Sequence, residues 1–280
     1  MIRVQDARKM YQQVTAVDGV SFHVGPGEVV ALLGPNWAGK TTFVRLIMGI
    51  ILPDAGSVSV TVAGRPAARH ELGYMPEERG LHKGVPIQRT LKFFGRLQGL
   101  GGAAAADAAR RWLERLELAG RARARIEELS RGNQQKVQFA ASVLHAPRIM
   151  VLDEPFAGLD PLNQELFIQL LRELAGNGTA VLFSAHQMDL VERVADRLVI
   201  LRNGRVVPAG TLDELQRRFG AGEVYGIRLG REIDTRALDG HPAVRSVDRA
   251  DGRVLRVGSR RGARRAARST RRHRRRLDPA

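Results

Sequence analysis

An eight-residue segment near the start of the chain has the composition of an anion-binding loop. It reads Gly34-Pro35-Asn36-Trp37-Ala38-Gly39-Lys40-Thr41 and matches the pattern G-x-x-x-x-G-K-[ST]. The glycines let the backbone curl so that several N–H groups point into one hollow, which suits phosphate oxygens. Lys40 can reach the β- and γ-phosphates of a nucleotide, and the hydroxyl group of Thr41 can ligate Mg²⁺. The segment therefore predicts a site for a nucleoside triphosphate.

A second motif consists of two acidic residues, Asp153 and Glu154, directly after the apolar run 149–152. Ligands of parallel sheets collect at the carboxyl ends of the strands, which is where this pair is expected. We expect Asp153 to hold Mg²⁺ through water and Glu154 to polarise the water that attacks the γ-phosphate. For this motif alone, the alternative is a solvated Asp-Glu turn at the end of a strand. The phosphate loop in the same chain favours the catalytic interpretation.

These residues need a sheet that brings separate strand ends together, and the hydrophobic pattern predicts one. Four apolar runs are continuous rather than alternating, which is typical of strands buried on both faces of a parallel sheet. Residues 57–62 alternate instead, which predicts a strand with one face in water. The continuous runs are Val29–Leu33, Ile149–Leu152, Ala180–Phe183 and Leu198–Leu201.

A helical pattern replaces the strand pattern between about residues 85 and 145. Within it, residues 103–118 are good helix formers, with Trp112, Leu113 and Leu116 on one face. The pattern predicts a mixed α/β domain over about residues 1–220 with an inserted helical subdomain.

The hydrophobic pattern and the composition of the sequence change after Phe219. Two segments, 224–229 and 253–257, could form strands on either side of a turn-rich connection, so we expect a small partial module over 221–258. Residues 259–280 contain ten arginines against one aspartate, and this run of like charge predicts a disordered tail. The tail could be an arm that binds anionic lipid or nucleic acid. We favour the alternative that a reading-frame change near residue 258 produced this run.

The composition excludes several classes of protein. The chain has 280 residues with 44% hydrophobic and 26% charged residues, so a disordered protein is excluded. The absence of cysteine excludes disulfides and thiolate chemistry. No apolar run approaches the roughly 18 residues that a membrane span needs, and the first residues do not resemble a secretory signal. The net charge of +16 is concentrated in the arginine-rich segment, so it says little about the partner of the remaining chain. We expect a cytosolic protein.

Four further motifs occur in the order typical of ATP-binding subunits of ABC transporters, and over residues 1–220 the sequence resembles that family. Tyr11 matches the residue that stacks on adenine, and Leu129-Ser130-Arg131-Gly132-Asn133-Gln134-Gln135-Lys136 matches the family's signature. Residues 157–160 match the D-loop, and His186 matches the switch histidine. The resemblance implies a P-loop NTPase core with a mainly parallel sheet, an antiparallel β subdomain and an inserted helical subdomain.

The resemblance also implies roles for individual residues. Glu154, His186 and Lys40 would be catalytic, and Thr41, Asp153 and Glu77 would surround Mg²⁺. Asp160 of the D-loop would lie at the seam of a dimer. The signature residues would contact ATP held by the opposite subunit, and they are Ser130, Arg131, Gly132 and Asn133. The nucleotide contacts in the same chain would be Tyr11, Gly34, Asn36, Trp37, Ala38, Gly39, Lys40, Thr41 and Thr42.

The function implied is ATP hydrolysis by a head-to-tail dimer, either a homodimer or a pair with another ATPase subunit. The dimer would drive separate integral membrane permease subunits from the cytoplasmic face of the cell membrane, with ATP and Mg²⁺ as cofactors. The signature variant and the extension after residue 220 resemble the bacterial exporters of drugs, antibiotics or sodium. One alternative is a soluble ATPase acting on nucleic acid or ribosomes, although nucleic acid is the disfavoured partner. Another is a catalytically weakened nucleotide-binding subunit.

Several residues depart from the family's pattern. Trp37 stands where the family nearly always has glycine, so its indole must point outward or strain the loop, and we hypothesise weakened ATP affinity. Glu77 replaces the usual glutamine and adds negative charge beside the triphosphate. Arg131 and Asn133 replace the commoner glycine and glutamine of the signature, whereas Ser130 and Gly132 are retained.

Overall fold

A computed structural model describes residues 1–78, 80–219, 224–228, 244–251 and 254–259. The helices are α1 (Lys40–Ile47), α2 (Ile87–Leu97), α3 (Gly102–Arg115), α4 (Arg131–Val143), α5 (Pro161–Gly176), α6 (Met188–Val194) and α7 (Leu212–Phe219). The strands are β1 (Ile2–Tyr11), β2 (Val14–Val24), β3 (Val29–Leu33), β4 (Ala55–Val62), β5 (Arg65–Pro66), β6 (Leu72–Met75), β7 (Ile149–Leu152), β8 (Ala180–Ala185), β9 (Arg197–Arg202), β10 (Arg205–Gly210), β11 (Val224–Arg228), β12 (Val244–Asp251) and β13 (Val254–Ser259).

The central sheet has six strands in the order β10-β9-β3-β8-β7-β6. The five strands from β9 to β6 run parallel, and only the edge strand β10 is antiparallel to its neighbour. Every residue of β3, β7 and β8 is buried, which explains their continuous apolar sequences. Because parallel strands end at the same edge of a sheet, the loops after these three strands open on one side of the molecule.

A second sheet with the order β2-β1-β4-β5 is antiparallel throughout. In β4 the valines Val58 and Val60 are partly buried while Ser57 and Ser59 are exposed, in agreement with the predicted alternation. Apolar residues of this sheet share one core with the central sheet and with α1, whose buried ring of Phe43 packs 5.1 Å from the ring of Phe22. The core thereby fixes α1 and the preceding loop against the central sheet.

Helices α2, α3 and α4 lie between residues 85 and 145 and pack on one another. Trp112, Leu113 and Leu116 are buried, as the helical pattern predicted. The indole of Trp112 meets the ring of Phe139 on α4 edge-on at 5.8 Å. The antiparallel sheet, the parallel central sheet and these helices agree with the α/β architecture expected from the sequence.

The chain divides into two compact units, Met1–Leu212 and Asp213–Ala280. In the second unit β11, β13 and β12 form an antiparallel sheet, with β13 in the middle. The sequence predicted β11 and β13, but the connection contains a further strand, β12. Its valines are three residues apart rather than two, so they give no alternating signal. Residues 260–280, the greater part of the expected disordered tail, lie outside the described residues. In the described part of the chain, no helix is long and apolar enough to cross a membrane.

Candidate active site

The phosphate loop joins the end of β3 to the start of α1, and its glycines are required by close backbone contacts. Gly39 has a φ of 100°, and a Cβ atom there would lie 2.2 Å from the carbonyl oxygen of Ala16. At Gly34 a Cβ atom would lie 2.6 Å from the carbonyl oxygen of Leu201. Only glycine fits either position, because no side chain tolerates such distances. The tight turn leaves the first N–H groups of α1 at the loop.

Lys40 links the phosphate loop to the acidic pair. Its side chain is buried, and its Nζ donates a hydrogen bond of 2.7 Å to the carbonyl oxygen of Gly34. The same Nζ lies 3.5 Å from Oε1 of Glu154. The ammonium group is thus held at the mouth of the loop by oxygen atoms, which a phosphate could replace or join.

Asp153 is almost completely buried and offers one carboxylate oxygen without a partner. Its Oδ1 accepts a hydrogen bond of 2.6 Å from Oγ of Ser184. Its Oδ2 is buried and has no hydrogen-bond partner among the described residues. A buried carboxylate oxygen without a partner is costly unless a ligand uses it, and Mg²⁺ prefers oxygen donors. The environment of Asp153 therefore fits the metal that the sequence implies.

Besides Gln135, whose Nε2 donates a hydrogen bond of 3.3 Å to its carbonyl oxygen, Glu154 is held by three neighbours at the end of β7. Its Oε2 lies 2.9 Å from Nδ1 of His186, and its backbone N–H donates to Oγ of Ser184 at 2.8 Å. The third neighbour is Lys40, described above. Glu154 has a φ of 51°, a strained value for a residue other than glycine. Strain of this kind, about 1–3 kcal/mol, persists where surrounding contacts over-determine it, and it clusters at functional sites.

Ser184 is a site residue to which the sequence analysis gave no role. It is completely buried in β8, and its hydroxyl group bridges Asp153 and the backbone of Glu154. The parallel register pairs Leu152 with Phe183, which places Ser184 beside the residue after Leu152. The signal in the sequence was a polar residue inside the otherwise apolar run Ala180–Ala185.

We expect Ser184→Ala to lower ATP turnover about tenfold, because the carboxylate of Asp153 and the backbone of Glu154 lose their common support. The half-saturating Mg²⁺ concentration should rise in the same assay. Ser142→Ala is the matched control, since this buried hydroxyl group donates only to Phe139 of its own helix. An unchanged Mg²⁺ dependence in Ser184→Ala would contradict the supporting role of Ser184.

A cleft of about 830 Å³ lies in front of the phosphate loop. It brings together most of the predicted nucleotide and metal residues from different parts of the chain. Gly34 and Ala38 belong to the loop but do not line the cleft, and His186 reaches it through Glu154. The predicted residues that line the cleft are Tyr11, Asn36, Trp37, Gly39, Lys40, Thr41, Thr42, Glu77, Asp153 and Glu154.

The carboxyl group of Glu77 adds to the negative charge of the cleft. Burial raises the pKa of Glu77, and the nearby carboxylates of Asp153 and Glu154 raise that pKa further, whereas Lys40 opposes the effect. A raised pKa means that the ionised form of Glu77 is destabilised in the absence of a cation. A metal ion bound at Asp153 would relieve this repulsion.

The signature residues and Asp160 do not line the cleft of their own chain. Ser130 caps α4, where its Oγ accepts a hydrogen bond from the N–H of Asn133 at 3.3 Å. Gly132 faces the D-loop, since a Cβ atom there would lie 3.3 Å from the carbonyl oxygen of Gly158. Asp160 caps α5, and hydrogen bonds from the Asn163 backbone lower the pKa of its carboxyl group. Ser130, Arg131 and Asp160 are therefore exposed, and neither segment lines the cleft of its own chain.

At Trp37 the sequence left open whether the indole points outward or the loop is strained, and the structure shows both. Its side chain is fully exposed, so the indole points outward, and its φ of 68° lies in the left-handed region.

We expect Trp37→Gly to change the ATP affinity of the monomer by less than about threefold, because the indole points into solvent and strain in the loop backbone alters affinity only if it changes on binding. Titration of the nucleotide at low protein concentration measures this affinity. The hypothesis that Trp37 weakens ATP binding predicts an increase instead, and a tenfold gain in Trp37→Gly would support it.

A phosphate loop and an acidic pair at the carboxyl edge of a parallel sheet define a protein of the P-loop NTPase class. The family model described as "ABC transporter" matches residues 17–157. An uncharacterized ABC transporter ATP-binding protein of Bacillus subtilis (strain 168), YhaQ, is 37% identical over 263 residues, covering 92% of this chain and 87% of the relative. The chain belongs to the ATP-binding proteins of ABC transporters.

Two further comparisons agree with this assignment. The Nod factor export ATP-binding protein I of Paraburkholderia xenovorans (strain LB400) is 36% identical over 215 residues, covering 75% of this chain and 70% of the relative. A solved ATP-binding subunit of an ABC transporter is 33% identical with a TM-score of 0.72, covering 79% of this chain and 93% of that one. The resemblance to ATP-binding subunits of ABC transporters and the expected P-loop NTPase fold are both confirmed. The chain is an ATP-binding subunit with the fold of an ATPase.

Proposed function

We propose that this protein hydrolyses ATP in its cleft with Mg²⁺, pairs head to tail with a second ATPase subunit, and drives export through separate integral membrane subunits. The observation that carries the proposal is the convergence of Lys40, Asp153 and Glu154 from distant parts of the sequence at one cleft. These are the groups that in-line attack on a γ-phosphate requires.

Each of these groups has a distinct task. Glu154 accepts a proton from the attacking water or orients that water, and the contact with His186 keeps its carboxylate in place. Lys40 neutralises charge on the β- and γ-phosphates. When bound at Asp153, Thr41 and Glu77, Mg²⁺ would supply further positive charge at the phosphate oxygens. Tyr11, half exposed at the edge of the cleft, offers a face for the adenine.

The dimer is proposed because the chain carries two half-sites that do not meet. The Ser130 end of α4 presents free N–H groups of a helix start, which favour a phosphate. That end does not line the chain's own cleft, so a phosphate would have to come from a second subunit. Closure around two nucleotides and reopening after hydrolysis would then be a population shift driven by the γ-phosphate.

Export through membrane subunits is supported by the name of the Nod factor export relative and by the signature variant. Subunits of this kind would hold the protein on the cytoplasmic face of the cell membrane. The cargo would be chosen by the membrane subunits.

The proposal is tested by purifying the protein with its genetic neighbours and measuring ATP turnover. We expect a multi-span protein to co-purify and to raise turnover when reconstituted in vesicles. Co-purification with RNA or ribosomes would instead support a soluble ATPase acting on nucleic acid. The absence of turnover above that of Glu154→Gln would support a catalytically weakened subunit.

A further inference from the structure

Two exposed side chains near the proposed phosphate contacts have no partner among the residues that the structure describes. Trp37, three residues before Lys40, is fully exposed and makes no aromatic or cation–π contact among the described residues. Arg131, directly after Ser130, is exposed and makes no hydrogen bond or ion pair in the same part of the chain. An exposed indole offers a large apolar and π-electron surface for a contact.

Guanidinium groups and indole rings attract each other, and this chain already contains one such pair. Arg115 lies over the ring of Trp112 with its Cζ atom 4.5 Å from the centroid. The attraction arises because the positive charge meets the negative face of the π system, and it increases when water is excluded. Trp37 and Arg131 have the chemistry for the same contact, but neither meets such a partner in the described part of its own chain.

We propose that Trp37 receives the guanidinium group of the partner subunit's Arg131 when two copies of the chain close around ATP. The inference rests on the proposed function, in which the phosphate loop of one subunit meets the Ser130 end of the other across a triphosphate. Trp37 belongs to that loop, and Arg131 is the first residue of that helix. Twofold symmetry places one such contact at each nucleotide. The pair makes the ATP-bound dimer tighter and adds nothing to ATP binding by a monomer.

The two tryptophans of the chain differ enough in exposure to test this contact without labelling. Trp112 is only 9% exposed whereas Trp37 is fully exposed, so acrylamide quenches mainly Trp37. In the full-length protein carrying Glu154→Gln, MgATP should protect Trp37 from quenching at the protein concentration at which sedimentation velocity detects the dimer. Trp37→Phe in the same background is the control and should lose this change.

A double-mutant cycle identifies the partner of Trp37. The dimer dissociation constant in MgATP is measured for Glu154→Gln alone and with Trp37→Leu, Arg131→Gln or both. The two contacts in a dimer should together lower the dimer dissociation constant roughly tenfold. Each single substitution should therefore raise this constant about tenfold, and the double variant should show no further increase. Arg96→Gln, which removes an exposed charge on α2, controls for the general effect of charge.

The possible outcomes separate this inference from the proposed function. Two results would overturn the contact and leave the proposed function intact. One is a dimer in which acrylamide still quenches Trp37, and the other is a double variant whose dimer dissociation constant rises about a hundredfold. Multiplying effects would indicate that Arg131 acts on the phosphate independently of Trp37. If MgATP produces no dimer of this chain, the contact between two copies is overturned, whereas pairing with a different ATPase subunit is decided by the co-purification experiment.

Discussion

Replacing Glu154 by glutamine is expected to lower kcat for ATP hydrolysis about 10²–10⁴-fold while leaving ATP binding in place, which is the usual contribution of a positioned general base. The amide keeps the shape of the side chain and can still form a hydrogen bond with His186, so the geometry at the end of β7 should persist. What disappears is the basicity that the attacking water needs. The loss of negative charge beside Lys40 should also leave more positive charge for the phosphates.

Steady-state phosphate release and nucleotide titration measure the two quantities separately. Glu78→Gln is the matched control because Glu78 lines the same cleft but contacts neither Lys40 nor His186. If Glu154→Gln and Glu78→Gln reduced turnover equally, the effect would come from the charge of the cleft rather than from a base. The assignment of Glu154 would then be wrong.

Replacing Lys40 by methionine is expected to weaken MgATP binding by about 10- to 100-fold, the usual range for loss of a charge-assisted hydrogen bond to phosphate. Methionine keeps the length of the buried stem but removes the positive charge. It also leaves the carbonyl oxygen of Gly34 and the carboxylate of Glu154 without their shared ammonium group. The negative charge of the Glu154 carboxylate would then meet the triphosphate uncompensated.

Lys136→Met controls for the removal of a buried lysine. Lys136 is also buried and also donates to a backbone carbonyl, that of Leu116 at 3.1 Å, but it does not line the cleft. We expect both variants to be less stable in chemical unfolding, and only Lys40→Met to lose affinity for MgATP. Equal affinities in the two variants would show that Lys40 has a structural role alone.

The phosphate loop and the acidic pair were predictable because each is a contiguous segment, and its residue types alone indicate its chemistry. The continuous apolar runs likewise predicted β3, β7 and β8, since burial on both faces removes any alternation. Strand β12 was missed because its valines do not alternate. Ser184 received no role because a buried serine acquires meaning only from the carboxylate beside it.

The sequence by itself determined the chemical parts of this protein: an anion-binding turn, a pair of carboxylates, and a serine that starts a helix. These are local features, and backbone propensity and side-chain chemistry are sufficient to specify them. The tertiary structure decided which parts meet. Parallel strand order brings Lys40, Asp153, Glu154 and Ser184 together, because strands distant in sequence end at one edge. It also decided that the indole of Trp37 lies in solvent, because the side-chain direction depends on a loop conformation fixed by packing against β2 and the central sheet.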